Sequence, residues 1–140
     1  MELDLHPMLV HFPVALFSSA LILETLSIIF KKESLHRSAV HLFVLAVFAA
    51  PFTVWTGLRE AQEEHLVKHP VLDLHKTFAL VTMWLGIAAV LALLFVRKRA
   101  AGLSRIVFLV FLVALVSMVA IAAYNGGRLV YEYGIGVEKE

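Results

Sequence analysis

Residues 78–96 read FALVTMWLGIAAVLALLFV, nineteen positions with no charged side chain. An α-helix rises 1.5 Å per residue, so about 20 apolar residues cross the roughly 30 Å of hydrocarbon in a bilayer. This stretch therefore predicts a membrane span. Working outward, comparable runs extend from Leu9 to Phe30, Ala39 to Leu58 and Ile106 to Tyr124. The whole chain of 140 residues is 61% hydrophobic and 16% charged, with a mean hydropathy of +0.87. A soluble domain is closer to half apolar and a quarter charged. The expected fold is all-α, a four-helix transmembrane bundle forming a single domain over 1–140. Its helices are expected at about 7–30, 38–58, 70–97 and 104–125, with a C-terminal tail over 126–140.

Charge fixes the expected topology. Lys31, Lys32 and Arg37 follow the first run, and Arg97, Lys98, Arg99 and Arg105 follow the third. The positive-inside rule puts both links in the cytoplasm and both termini outside. The first run carries Glu2 and Asp4 ahead of it and exceeds a signal-peptide core in length, so it is expected to remain as a span of a multi-pass inner-membrane protein. Twelve basic residues balance eleven acidic ones for a net charge of +1, which excludes the basic surplus of a nucleic-acid binder. The expected partners are the lipid bilayer, a redox protein or quinone, and further copies of the chain.

Function is sought in the seven histidines, because ionisable groups within a membrane generally serve a purpose. The chain contains no cysteine, so disulfides, thiolate metal sites and covalent c-type haem attachment are excluded. His6-Pro7 opens the first span with His11 five residues on, and His69-Pro70 opens the third with His75 six residues on, an echo suggesting two parallel hairpins. Prolines suit the first turn of a helix. At 100° per residue, His75 heads a stripe through Ala79, Thr82, Gly86 and Ala89, and His11 one through Ala15, Ser18, Ile22 and Thr25. The second and fourth helices offer Ala46, Ala50, Thr53, Gly57 and Ala114, Ser117, Ile121. Small stripes mark close helix approach, or room for a flat group. His11 and His75 are therefore the expected axial ligands of a non-covalent b-type haem between the first and third helices. His6 and Arg128 are expected beside them, the latter toward a propionate, with Phe12, Phe78 or Trp84 packing on the macrocycle. The chain then reads as an electron-transfer protein or subunit more than a stand-alone enzyme, and no catalytic residue is assigned.

A second reading uses His65 and His69, spaced i,i+4, with Glu64 as a divalent-metal site. A third is a structural subunit of a larger membrane complex. His41 shares its face with Leu45, Phe48 and Phe52, suited to lipid or a partner subunit, and is expected to pair with Glu24 if with anything. The glycines of 126–137 suggest a cap folded over the outer end of the bundle.

With His6-Pro-Met-Leu-Val-His-Phe-Pro-Val-Ala-Leu16, Thr56-Gly57, His75 and the tail GGRLVYEYGIGV from Gly126, the chain resembles the bacterial membrane family known as domain of unknown function 2231. The resemblance implies four helices in an inner membrane. Through relatives joined to Rieske-type or cytochrome c domains, it also implies a redox setting. It points to His6, Pro7, His11, Pro13, Gly57, His75, Gly126, Gly127, Tyr131 and Gly134.

Overall fold

A computed structural model describes residues 5–63, 69–96 and 101–135. Five helices follow one another: α1 (Leu5–Leu9), α2 (His11–Phe30), α3 (Glu33–Glu63), α4 (Pro70–Val96) and α5 (Ala101–Tyr131). α1 and α2 together make one span, Leu5–Phe30, and the other three helices each hold another, so four segments are long and apolar enough to cross a membrane. The all-α, four-span fold is as expected from the sequence. The start of α1, the end of α3, the start of α4 and the end of α5 share one end of the bundle, here the terminal face; the end of α2, the start of α3, the end of α4 and the start of α5 share the other, the loop face.

The sequence explains the breaks between helices. Pro13 has no amide hydrogen to donate to Leu9, and the Thr53 hydroxyl of α3 reaches the Leu9 carbonyl at 3.4 Å. α2 ends where Lys31 takes a left-handed conformation (φ 52°), and the Lys32 amide returns to the Ser27 carbonyl at 3.1 Å. α4 begins with Pro70 at its first position, and the Val71 amide donates to His69 Nδ1 at 3.3 Å, so His69 caps the helix.

α5 runs past the expected boundary near 125 through Gly126 and Gly127 to Tyr131. Gly134, at φ +62°, then closes the helix in a left-handed (αL) cap. The Ile135 amide bonds the Leu129 carbonyl at 2.9 Å and the Gly134 amide bonds Val130 at 3.1 Å, while Ile135 packs beside Leu129. The first part of the expected cap is therefore helix, and only its last residues fold back.

α2 pairs with α3, α4 pairs with α5, and the first helix of each hairpin also contacts the second helix of the other. The middle of the bundle is closed by Phe17, Phe43 and Phe108, with ring centres 6.2 Å apart for the first pair and 5.3 Å for the second. Phe17 lies opposite Gly86: a methyl at Gly86 would stand 3.8 Å from its ring and 3.2 Å from Val47. Phe48, Phe52, Trp84, Leu91 and Val110 face outward, the arrangement that lipid solvates without cost.

Candidate functional site

The echo between the hairpins holds, but in a different register from the His-Pro match. His6 Nδ1 donates to the Thr53 carbonyl at 2.9 Å, and His75 Nδ1 donates to the Ala122 carbonyl at 2.8 Å, each spanning 47 positions. His6 lies against Gly57 and His75 against Gly126. Arg59 stacks over Trp55 at 4.7 Å, and Arg128 over Tyr124 at 5.9 Å. Each pair of equivalents is related by the same step of 69 residues, from position 6 to position 75. His6 is thus the counterpart of His75, and His69 has a different job.

The two equivalent imidazoles meet. Their ring centres are 6.1 Å apart and their planes 81° from parallel, in the half-buried layer of the terminal face. A carbonyl oxygen only accepts, so the hydrogen on each ring is at Nδ1, and in the neutral form Nε2 carries a free lone pair. A partner on one ring nitrogen fixes the tautomer and strengthens the other nitrogen as a donor, as is usual for histidines that bind metals. The Thr56 hydroxyl, which donates to the Thr53 carbonyl at 2.9 Å, is 3.4 Å from His6 Nδ1. Two glycines make the approach feasible. A methyl at Gly57 would stand 2.6 Å from His6 Cε1, and one at Gly126 would stand 3.1 Å from His75 Cε1. Gly57 and Gly126 serve close packing here, and neither has a positive φ.

His11 is exposed, as are Ala15, Ile22 and Thr25 of its stripe. The expectation that it faces inward alongside His75 is corrected. The inward face of α2 is Pro13, Phe17, Ala20, Glu24 and Ser27, which continues the stripe of His6. Small size was the wrong criterion, because Phe17 fills the space that Gly86 leaves. The α4 and α3 stripes were read correctly: Thr82, Gly86 and Ala89 are buried, as are Ala46, Ala50 and Thr53. For α5 the buried series is Phe108, Leu112, Leu115, Val119, Ala122 and Asn125, in place of Ala114, Ser117 and Ile121.

Of the other proposed site residues, Glu64 and His65 lie outside the described residues. His69, besides capping α4, packs on Tyr133 with ring centres 4.2 Å apart. Arg128 binds Glu132 at 2.9 Å and donates to the Tyr133 hydroxyl at 3.2 Å. Phe12 and Trp84 are exposed and Phe78 is half-buried. Among the described residues no group of three or more His, Asp or Glu side chains is arranged to hold a metal ion.

A second polar cluster lies toward the loop face, and the sequence reading missed its composition. Glu24 is 0% exposed. Its partner is His36, not His41: His36 Nδ1 and Glu24 Oε2 are 2.6 Å apart. Arg105 Nε lies 3.6 Å from Glu24 Oε1, and Arg105 also reaches Ser27 Oγ at 3.1 Å and Glu33 at 3.5 Å. His41 is exposed beside Leu45, Phe48 and Phe52, as expected. His36 and Arg105 are again one repeat step apart. The signal that finds them is the register itself, invisible until His6 is matched to His75.

The fold and the paired imidazoles define a multi-span α-helical membrane protein built from two like hairpins, with a histidine pair where they meet. The chain belongs to the family of predicted membrane proteins described as domain of unknown function 2231, whose model matches residues 2–139. No curated protein and no solved structure matches it.

Proposed function

We propose that the chain is an electron-transfer protein of a bacterial inner membrane that holds one b-type haem on His6 and His75. The observation that carries this reading is the pairing of two imidazoles from the two hairpins, each with Nδ1 committed to a carbonyl and Nε2 left for a metal. The ring centres are 6.1 Å apart, close enough for both imidazoles to serve one group between the hairpins. The protein contributes two nitrogen donors, and a porphyrin brings the other four. A haem held by both His6 and His75 would supply one-electron transfer rather than oxygen binding.

The chain's own residues then have definite parts. The carbonyls of Thr53 and Ala122 hold each ring in one tautomer. Gly57 and Gly126 leave bare backbone beside the rings. Arg128, on the same face, supplies a guanidinium suited to a carboxylate such as a propionate. With the basic links in the cytoplasm, the pair sits at the outer face, within reach of an outer redox protein or a membrane quinone. His11, being exposed, has no part in this site.

The test is the absorption spectrum of purified protein from haem-replete cells, air-oxidised and then dithionite-reduced. A Soret band with sharp reduced α and β bands is expected. It should be lost or converted in His6→Ala and in His75→Ala, and retained in His11→Ala. A colourless wild type overturns the reading, and so does a spectrum indifferent to His6.

A further inference from the structure

The loop-face cluster is built differently from the histidine pair. Glu24 is buried, and its two oxygens are treated unequally. Oε2 is 2.6 Å from His36 Nδ1 and 3.5 Å from the Ser27 hydroxyl. Oε1 has no hydrogen-bond donor, and the nearby Arg105 Nε is likewise buried without an acceptor. The two oxygens thus meet different partners: Oε2 an imidazole that can hold or give up a proton, and Oε1 a guanidinium that stays charged, 3.6 Å away.

We propose that Glu24 and His36 form a proton-binding site in which the buried carboxylate exchanges its proton with water on the loop face through the imidazole. The route follows from exposure: the His36 side chain is 21% exposed and that of Glu24 is 0%, so the imidazole is the member that reaches solvent. A proton from water adds to His36 Nε2, and the Nδ1 hydrogen passes to Glu24 Oε2. The imidazole returns to neutral with its hydrogen on Nε2, and the hydrogen bond reverses, the Glu24 hydroxyl donating to Nδ1. One proton is gained and no other bond changes.

The surrounding charges accommodate that gain. With Glu24 ionised, His36 neutral and Arg105 cationic, the buried group is neutral overall. When Glu24 takes the proton, Arg105 keeps a counter-ion, because it is also 3.5 Å from Glu33. Among the described residues the charged groups at this end of the bundle are Lys31 and Lys32 after α2, Glu33 and Arg37 on α3, and Arg105 on α5, of which Arg105 and Glu33 belong to the cluster. Phe108 packs edge-on against the His36 ring, with ring centres 5.8 Å apart. The proposal stands on a cluster separate from the His6–His75 pair and holds whether or not that pair carries haem.

The experiment is infrared difference spectroscopy of the full-length protein in lipid nanodiscs during a pH jump. A protonated-carboxyl band that rises on acidification is expected in the wild type and should be absent in Glu24→Gln. In His36→Gln the band should respond roughly a hundredfold more slowly, the low end of what a positioned imidazole contributes to proton transfer. If the wild type shows no pH-dependent carboxyl band between about pH 4 and pH 9, or if the band survives in Glu24→Gln, the site is not a proton site. If His36→Gln responds as fast as wild type, the route through His36 is wrong. The first criterion needs only the wild type, so a variant that fails to fold does not rescue the idea.

Discussion

The glycine on which His6 rests offers a graded test of the paired-imidazole geometry. A methyl added at Gly57 would lie 2.6 Å from His6 Cε1, 2.8 Å from Nδ1 and 2.9 Å from Nε2. Carbon atoms settle at about 3.5–4.0 Å, so the ring must withdraw by about 1 Å. That motion breaks its 2.9 Å bond to the Thr53 carbonyl, a loss of about 1 kcal/mol. Overpacking in a tight interface costs about 1–3 kcal/mol, and the better helix propensity of alanine offsets about 0.8–1.0 kcal/mol. Gly57→Ala should therefore destabilise the fold by about 1–3 kcal/mol. At Gly126 the corresponding contacts are 3.1 and 3.2 Å, a few tenths of an ångström too close. Gly126→Ala should fall within about 1 kcal/mol of wild type. Gly127 has nothing within 4 Å, and Gly127→Ala should stabilise by up to about 1 kcal/mol. The assay is reversible unfolding in mixed micelles followed by circular dichroism, with the ring N–H resonance of His6 as a local reporter. A Gly57→Ala protein as stable as Gly127→Ala, with the His6 resonance unmoved, would show that the ring does not rest on Gly57.

Three further outcomes follow from the packing. Arg105→Met should cost about 3–5 kcal/mol, because Glu24 is then buried without a compensating charge; double substitution with Glu24→Gln should recover most of the loss in the same unfolding assay. Phe17→Ala should cost about 3–5 kcal/mol by opening a cavity in the middle of the bundle, and an unfolding midpoint equal to wild type would mean that Phe17 does not fill the space opposite Gly86. Gly134→Ala forces a side chain into φ +62°, a strain of about 1–2 kcal/mol, and should hasten chymotryptic cleavage at Tyr133 as the turn lifts away from His69; an unchanged cleavage rate would argue against the left-handed cap as the clamp on the tail.

The membrane fold was legible because it depends on bulk hydropathy, which residues 78–96 display without interruption. The inward faces of α3 and α4 were legible for a related reason: small residues recur there at helical spacing. The faces of α2 and α5 were not, because packing at a four-helix centre conserves volume between partners rather than within one helix. Phe17 is large where Gly86 is small, and a search for small stripes passes over it. The inward direction of His75 was legible from the small residues that follow it on α4. His6 was set beside the site rather than in the pair, because matching the prolines of His6-Pro7 and His69-Pro70 shifts the repeat by six residues. Pro7 and Pro70 have different structural contexts: one belongs to the short helix α1, and the other is the first residue of α4, capped by His69. The Glu24 partner was missed because a helix-face argument places residues by angle on one helix and says nothing of which neighbour rotates toward it.

The repeat also explains why the two ends of the bundle differ. Where a hairpin is paired with a like copy of itself, a residue near the meeting line faces its own counterpart, so one histidine per hairpin yields two facing imidazoles. The terminal face keeps that symmetry in His6 and His75, in their carbonyl partners and in the glycines beneath them. At the loop face the counterparts have diverged: His36 stands where the other hairpin has Arg105, and Glu24 where it has Leu93. The single carboxylate there, Glu24, has one guanidinium, Arg105, and one imidazole, His36, beside it. The symmetric end thus brings two like imidazoles together, and the asymmetric end brings a carboxylate between an imidazole and a guanidinium.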